Sequence, residues 1–117
     1  MSPLTITTRG AATGPVLEVT GDLDYATAPE LRKAVDHLTL ADGQLLVLDL
    51  ANLGFCDSSG ITILLAARNL AAEQGATLAL AAVPDNTLRI LRIVGLDRVF
   101  TLHPDAKAAI TSSSTAC

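Results

Sequence analysis

The chain opens on an alternation of apolar and polar positions. Leu4-Thr5-Ile6-Thr7-Thr8 repeats with period two and is rich in β-branched residues, the pattern of a half-exposed strand. Gly10-Ala11-Ala12-Thr13-Gly14-Pro15 is a turn signal, after which Val16-Leu17-Glu18-Val19-Thr20 reads as a second strand, antiparallel to the first. Residues 21–25 then make a short acidic loop carrying Asp22 and Asp24. Beyond it the period changes. Leu31, Ala34, Val35 and Leu38 stand at i, i+3, i+4 and i+7, one apolar helix face. Thr27-Ala28-Pro29-Glu30 has the form of a capping box with proline in the tolerant first turn, and Asp42-Gly43 stops the helix.

Leu45-Leu46-Val47-Leu48-Asp49-Leu50 is almost continuously apolar, as expected of a strand covered on both faces in a largely parallel sheet. A loop over residues 51–57 leads to a second helix, 58–73, which ends near Gly75; its polar stripe (Thr62, Asn69, Glu73) is narrow, so most of its circumference meets protein. Residues 77–83 form another apolar strand. Pro84-Asp85-Asn86 opens a third helix over 87–94, stopped by Gly95, with Arg89 and Arg92 on one face. Val99-Phe100-Thr101 gives a short last strand, Pro104-Asp105 begins a short final helix, and 111–117 is a flexible Ser/Thr-rich tail after a domain spanning 1–110. This order predicts an α/β fold with a mixed sheet of about four to five strands and about four helices: an antiparallel opening hairpin, then parallel strands joined by helical crossovers.

Composition narrows what such a domain does. The 117 residues suit one domain, and 50% of them are apolar. The aromatics are Tyr25, Phe55 and Phe100 alone, so the core is aliphatic. Lys and Arg total 8 against 12 Asp and Glu, a formal charge of −4 without a basic run, which lacks the electrostatic footprint of a nucleic-acid binder. No apolar run approaches the ~20 residues that span a bilayer, and the N-terminus lacks the basic start and apolar core of an export signal. A cytoplasmic location without membrane association is therefore expected. Cys56 and Cys117 form neither a C-x-x-C pair nor part of a ligand cluster, so neither a disulfide nor a metal or other cofactor is expected.

The chemistry is concentrated in Phe55-Cys56-Asp57-Ser58-Ser59-Gly60-Ile61, which follows a buried strand and opens a buried helix. Unpaired N–H groups and the macrodipole favour negative charge at such a start. Asp57 or Ser58 can cap the helix, and Gly60 keeps the first turn bare so that another backbone can approach. A phosphate on a serine here sits where anions are tolerated and adds ~1.5–2 negative charges beside Asp57. Asp-Ser-Ser-Gly is equally an ordinary helix cap. Asp24 reads as a turn former or as a charge near the acceptor, and Asp49 as a structural carboxylate or one that orients the loop before Asp57. His37 and His103 read as surface or cap residues.

Taken together, Gly21-Asp22-Leu23-Asp24 with Thr27-Ala28, then Leu48-Asp49-Leu50 and Phe55-Cys56-Asp57-Ser58-Ser59-Gly60-Ile61, resembles the STAS-domain anti-sigma factor antagonists in order and spacing, over residues 4–110. The resemblance implies a STAS-like fold and a partner switch. Unmodified antagonist binds an anti-sigma factor that is itself a serine kinase and so frees the sigma factor; phosphorylation blocks that binding, and a serine phosphatase resets it. By position Ser58 is the phosphoacceptor, with Ser59 the second choice. Asp24 and Asp57 flank the site, and Thr27, Ser59, Gly60 and Ile61 join them in the partner surface.

Other classes fit less well. A serine hydrolase using Ser58 or Ser59 with His37 or His103 needs a G-x-S-x-G elbow, which is absent, and a base positioned on the serine. A receiver domain phosphorylated on Asp49 needs an early acidic pair and a lysine after the last strand; residues 4–10 carry no acid, and Lys107 falls in the final helix. A STAS scaffold, or a subunit of a sensory or lipid-transport complex, is the alternative within the resemblance. Loss of the serines would favour the transport role, and both serines are present.

Overall fold

Two glycine-flanked strands fold back on each other at the start of the chain. In the computed structural model, which describes residues 4–115 and the side-chain environments of 4–111, β1 (Thr5–Ala11) and β2 (Gly14–Leu23) form an antiparallel hairpin whose turn is Ala12 and Thr13. Gly14 is required there. Its φ is +145°, and a Cβ would collide with the Leu45 carbonyl oxygen. The Leu45 N–H donates to the Thr13 carbonyl (2.8 Å), so the hairpin tip is stitched to the start of β3 (Leu45–Cys56).

The sheet continues through β4 (Thr77–Ala81) and β5 (Thr101–His103) in the order β1-β2-β3-β4-β5, with every pair after the hairpin parallel. The crossovers are α1 (Ala28–Asp36), α2 (Ser58–Glu73) and α3 (Asp85–Ile93), and α4 (Ala106–Thr115) follows β5. This is the mixed five-stranded, four-helix architecture expected. The helices divide the sheet into two unequal faces. Leu31 and Val35 of α1, Leu64, Ala67 and Ala71 of α2 and Leu91 of α3 pack with Leu17, Leu46, Leu48 and Leu80 in the main core. On the opposite face Ala106 and Ala109 of α4 cover Val16, Leu45, Val47, Ala79 and Ala81. Small residues on both sides of that second interface let the helix lie close.

Several boundaries differ from the sequence reading. Residues 21–23 are strand, not loop, and β3 runs on through the segment 51–56 that was also expected to be loop. The two stretches pair with each other, Gly21 with Leu53 and Leu23 with Cys56, after register shifts that break the alternation. The first helix closes at His37, well before Asp42-Gly43; the His37 ring Nδ1 donates to the Lys33 carbonyl (2.8 Å). The connection that follows is held by Gln74, whose Oε1 accepts from the Leu40 N–H (2.8 Å). A 3-10 turn over Leu96–Arg98 pushes the last strand from 99–101 to Thr101–His103. The Ser/Thr run set apart from Thr111 begins inside α4, and residues 116–117 lie outside the described part.

The main core should therefore dominate stability. We expect Leu64→Ala, at a fully buried position, to cost about 2–5 kcal/mol. Ile93→Ala, at a position 77% exposed, should stay within about 0.5 kcal/mol. Urea midpoints of the two variants against the parent chain check both.

Candidate functional site

The β3–α2 junction is built on one carboxylate and one glycine. Asp57 is the N-cap of α2, in extended conformation, and its Oδ1 accepts from the Gly60 N–H (3.1 Å). The cap is thus Asp57, which leaves Ser58 as the first helical residue. Ser58 is exposed, and its hydroxyl makes no hydrogen bond among the described residues. Its carbonyl accepts from the Thr62 hydroxyl (2.9 Å). Ser59 is half-buried and also without a hydroxyl partner among the described residues.

Gly60 plays a different part from the one expected. It is buried, and a Cβ there would lie 2.6 Å from Cys56 Sγ and 2.7 Å from the Leu23 carbonyl oxygen. The chain's own β2 backbone approaches the bare first turn through the Leu23 carbonyl. The Asp57 N–H reaches the same Leu23 carbonyl (3.3 Å). Ile61 is 7% exposed and belongs to the main core. Cys56, also buried, has its thiol pushed up from 9.0 to about 12, first by burial and then by the neighbouring Asp57 carboxylate.

The β2–α1 loop is a compact hydrogen-bonded knot. Asp24 Oδ1 accepts from the N–H groups of Ala26 (3.0 Å) and Thr27 (3.0 Å). The Thr27 hydroxyl donates to the Asp22 carbonyl (2.7 Å), accepts from the Asp24 N–H (2.9 Å) and lies 3.2 Å from Asp24 Oδ1. No capping box forms: the Thr27 side chain does not cap α1, and it is turned back into its own loop and buried. Asp24 is a turn former here, as one of its two readings had it. Asp49 accepts from the Ala51 N–H (3.1 Å), a contact local to β3 and well before Asp57. His37 is engaged with its own helix and His103 ends β5, and among the described residues no histidine is hydrogen-bonded to either serine.

The residues expected in a partner surface therefore separate into two groups. Ser58 is exposed, and Asp24, Asp57 and Ser59 are partly so; Thr27, Gly60 and Ile61 are interior supports. Two aromatics had been given no role of their own. Tyr25 is 84% exposed and Phe55 51% exposed, so two of the three aromatics flank the motif in water. Tyr25 shares with Ala28, Pro29, Arg32, Ser59 and Ile63 an apolar groove of ≈ 360 Å³ between α1 and α2. The signal was available: an aliphatic core that leaves its few aromatics in polar loops is using them elsewhere.

Fold and junction together define a small α/β domain with a mixed five-stranded sheet and an exposed serine at the start of its second helix. A family model described as "Mlab, STAS domain" matches residues 6–104. The chain belongs to the STAS domain family. The anti-sigma-F factor antagonist RsfB of Mycobacterium tuberculosis is 31% identical over 96 residues, 82% of this chain and 78% of its own. The crystal structure of an anti-sigma factor antagonist from Mycobacterium paratuberculosis superposes with a TM-score of 0.83 at 28% identity, covering 95% of this chain and 94% of that one. A sulfate transporter family protein from Wolinella succinogenes shares the fold, with a TM-score of 0.74 at 17% identity over 85% of this chain and 83% of that one. No helix among the described residues is long and apolar enough to cross a membrane.

Two outcomes test the junction. Alanine is ordinarily favoured over glycine inside a helix by about 1 kcal/mol, but overpacking costs about 1–3 kcal/mol, and here the obstructing atom includes a main-chain carbonyl that cannot swing away. Gly60→Ala should therefore lower the urea midpoint; a rise would mean that Leu23 yields. The raised thiol makes Cys56 thiolate much scarcer than at its ordinary value. At pH 8 iodoacetamide should accordingly modify Cys56 far more slowly in the folded chain than in urea, as read by peptide mass mapping.

Proposed function

We propose that this chain is an anti-sigma factor antagonist that works as a phosphorylation-controlled partner switch. The unmodified form binds an anti-sigma factor with serine kinase activity and releases the sigma factor, phosphorylation of Ser58 blocks that binding, and a serine phosphatase restores it. The observation that carries the proposal is the division of labour at the junction. Asp57 holds the helix cap, so the exposed Ser58 hydroxyl is free to react without loss of a structural bond. Ser59, half-buried in the groove with Tyr25, is the second choice. The names of the relatives support the partner class.

Phosphate at Ser58 would add ~1.5–2 negative charges at a helix N-terminus, where the macrodipole and unpaired N–H groups favour an anion. The fold should tolerate it. A partner docked on this surface would not, because it must desolvate the phosphate beside the Asp57 carboxylate. An uncompensated buried charge of this kind costs on the order of 3 kcal/mol, about a hundredfold in affinity. Tyr25 and Phe55 would supply the apolar part of the contact.

The test uses the anti-sigma kinase and ATP, with intact-mass spectrometry and a pull-down of each variant. Ser58→Ala should bind and accept no phosphate, Ser58→Asp should bind about a hundredfold more weakly and stay folded, and Ser59→Ala should still be phosphorylated. A phosphate gained by Ser58→Ala but not by Ser59→Ala would move the acceptor to Ser59. Equal binding of phosphorylated and unmodified protein would instead favour a STAS scaffold or complex subunit.

A further inference from the structure

A second concavity, independent of the Ser58 reading, lies at the carboxyl ends of β4 and β5. It encloses ≈ 360 Å³ and is lined by Val83, Leu88 and Leu102 together with Arg92, Asp97 and His103. The Ser58 surface is elsewhere: Ala81, the last residue of β4, pairs with Asp49, and β3 runs on through Cys56 before Ser58 opens α2.

Two features distinguish this cavity from a surface dent. Its wall includes Ala82, which has φ +54°, the one non-glycine residue with positive φ among those described. Left-handed backbone is unfavourable for alanine and persists only where the surroundings impose it. Here the Ala82 N–H donates to the His103 carbonyl (3.0 Å), tying the end of β4 to the end of β5 across the cavity wall. The second feature is charge. Arg92 of α3 and Asp97 of the 3-10 turn line the same space with opposite sign, and among the described residues neither is in an ion pair with the other or with any third group.

An apolar cavity with a few convergent polar groups is the usual form of a small-molecule site, and its volume is at the small end of the range for such sites. Unpaired charges of opposite sign lining one cavity are complementary to a ligand that carries both. We propose that the cavity binds a small zwitterion with an apolar body, of the α-amino acid type. Its carboxylate meets the Arg92 guanidinium, which presents a fork of donors to it. Its ammonium group meets Asp97, and its side chain packs on Val83, Leu88 and Leu102. His103 also lines the cavity.

The experiment is a titration of the ¹⁵N-labelled full chain, followed by amide shifts, with L-phenylalanine and L-leucine as zwitterionic probes. 3-Phenylpropionate (no ammonium) and 2-phenylethylamine (no carboxylate) are the controls. L-Phenylalanine or L-leucine should give saturable shifts at Ala82, Val83, Leu102 and His103, and each control should bind roughly tenfold more weakly than L-phenylalanine. Arg92→Gln should erase the advantage of L-phenylalanine over 2-phenylethylamine, and Asp97→Asn its advantage over 3-phenylpropionate. Absence of saturable shifts with both amino acids at millimolar concentration overturns the proposal. So does equal binding of zwitterion and controls, or a set of shifts centred away from β4 and β5. If either variant loses its dispersed spectrum, the probe series on the parent chain decides alone.

Discussion

The contact on which the site depends is the approach of Gly60 to β2. With no side chain at that position, the first turn of α2 lies directly against the Leu23 carbonyl and Cys56 Sγ. The Asp57 N–H bonds to the same carbonyl, so the start of the helix is fixed against the ends of two paired strands at once. The direction in which Ser58 faces follows from this anchorage. So does the burial of Cys56, whose thiol is kept neutral by the packing that positions its neighbours.

A second brace lies across from the first. The knot formed by Asp24 and Thr27 uses a carboxylate oxygen and a hydroxyl to satisfy the main chain of a tight turn, and it delivers Tyr25 into water beside the groove shared with Ser59. Both braces spend polar groups on backbone geometry, so the residues left exposed carry little structural duty. A rigid scaffold with unburdened residues at its rim is the arrangement that recognition surfaces need. The faces of the sheet add to this: the leucine-rich main core supports the α1–α2 side, where the site is, while the alanine-rich face under α4 only closes the other side.

Most of the architecture was legible because its signals are local. The spacing of Leu31, Val35 and Leu38, the nearly continuous apolar run 45–50 and the stops at Gly75 and Gly95 each belong to one element. What failed depended on pairing. The segment 51–56 looks like loop because its burial does not alternate: Leu53 and Cys56 are buried and the residues around them exposed, a consequence of register shifts set by β2. The site divided in the same way. The helix start at Asp57-Ser58 could be inferred from residue types, whereas the local contacts of Thr27 and Gly60 could not. A bare glycine looks the same in sequence whether the atom that approaches it is the chain's own or a stranger's, and Thr27 before Pro29 suggests a cap until the geometry of Asp24 is known.

The assignment of the cap to Asp57 has an evolutionary consequence. Folding places a requirement on position 57 and on position 60 but none on the Ser58 hydroxyl, which is exposed and makes no hydrogen bond among the described residues. Substitutions at Ser58 would therefore meet little resistance from stability as sequences diverge. Where a serine persists at this position, the selection that holds it acts through what the surface meets and not through the fold that displays it.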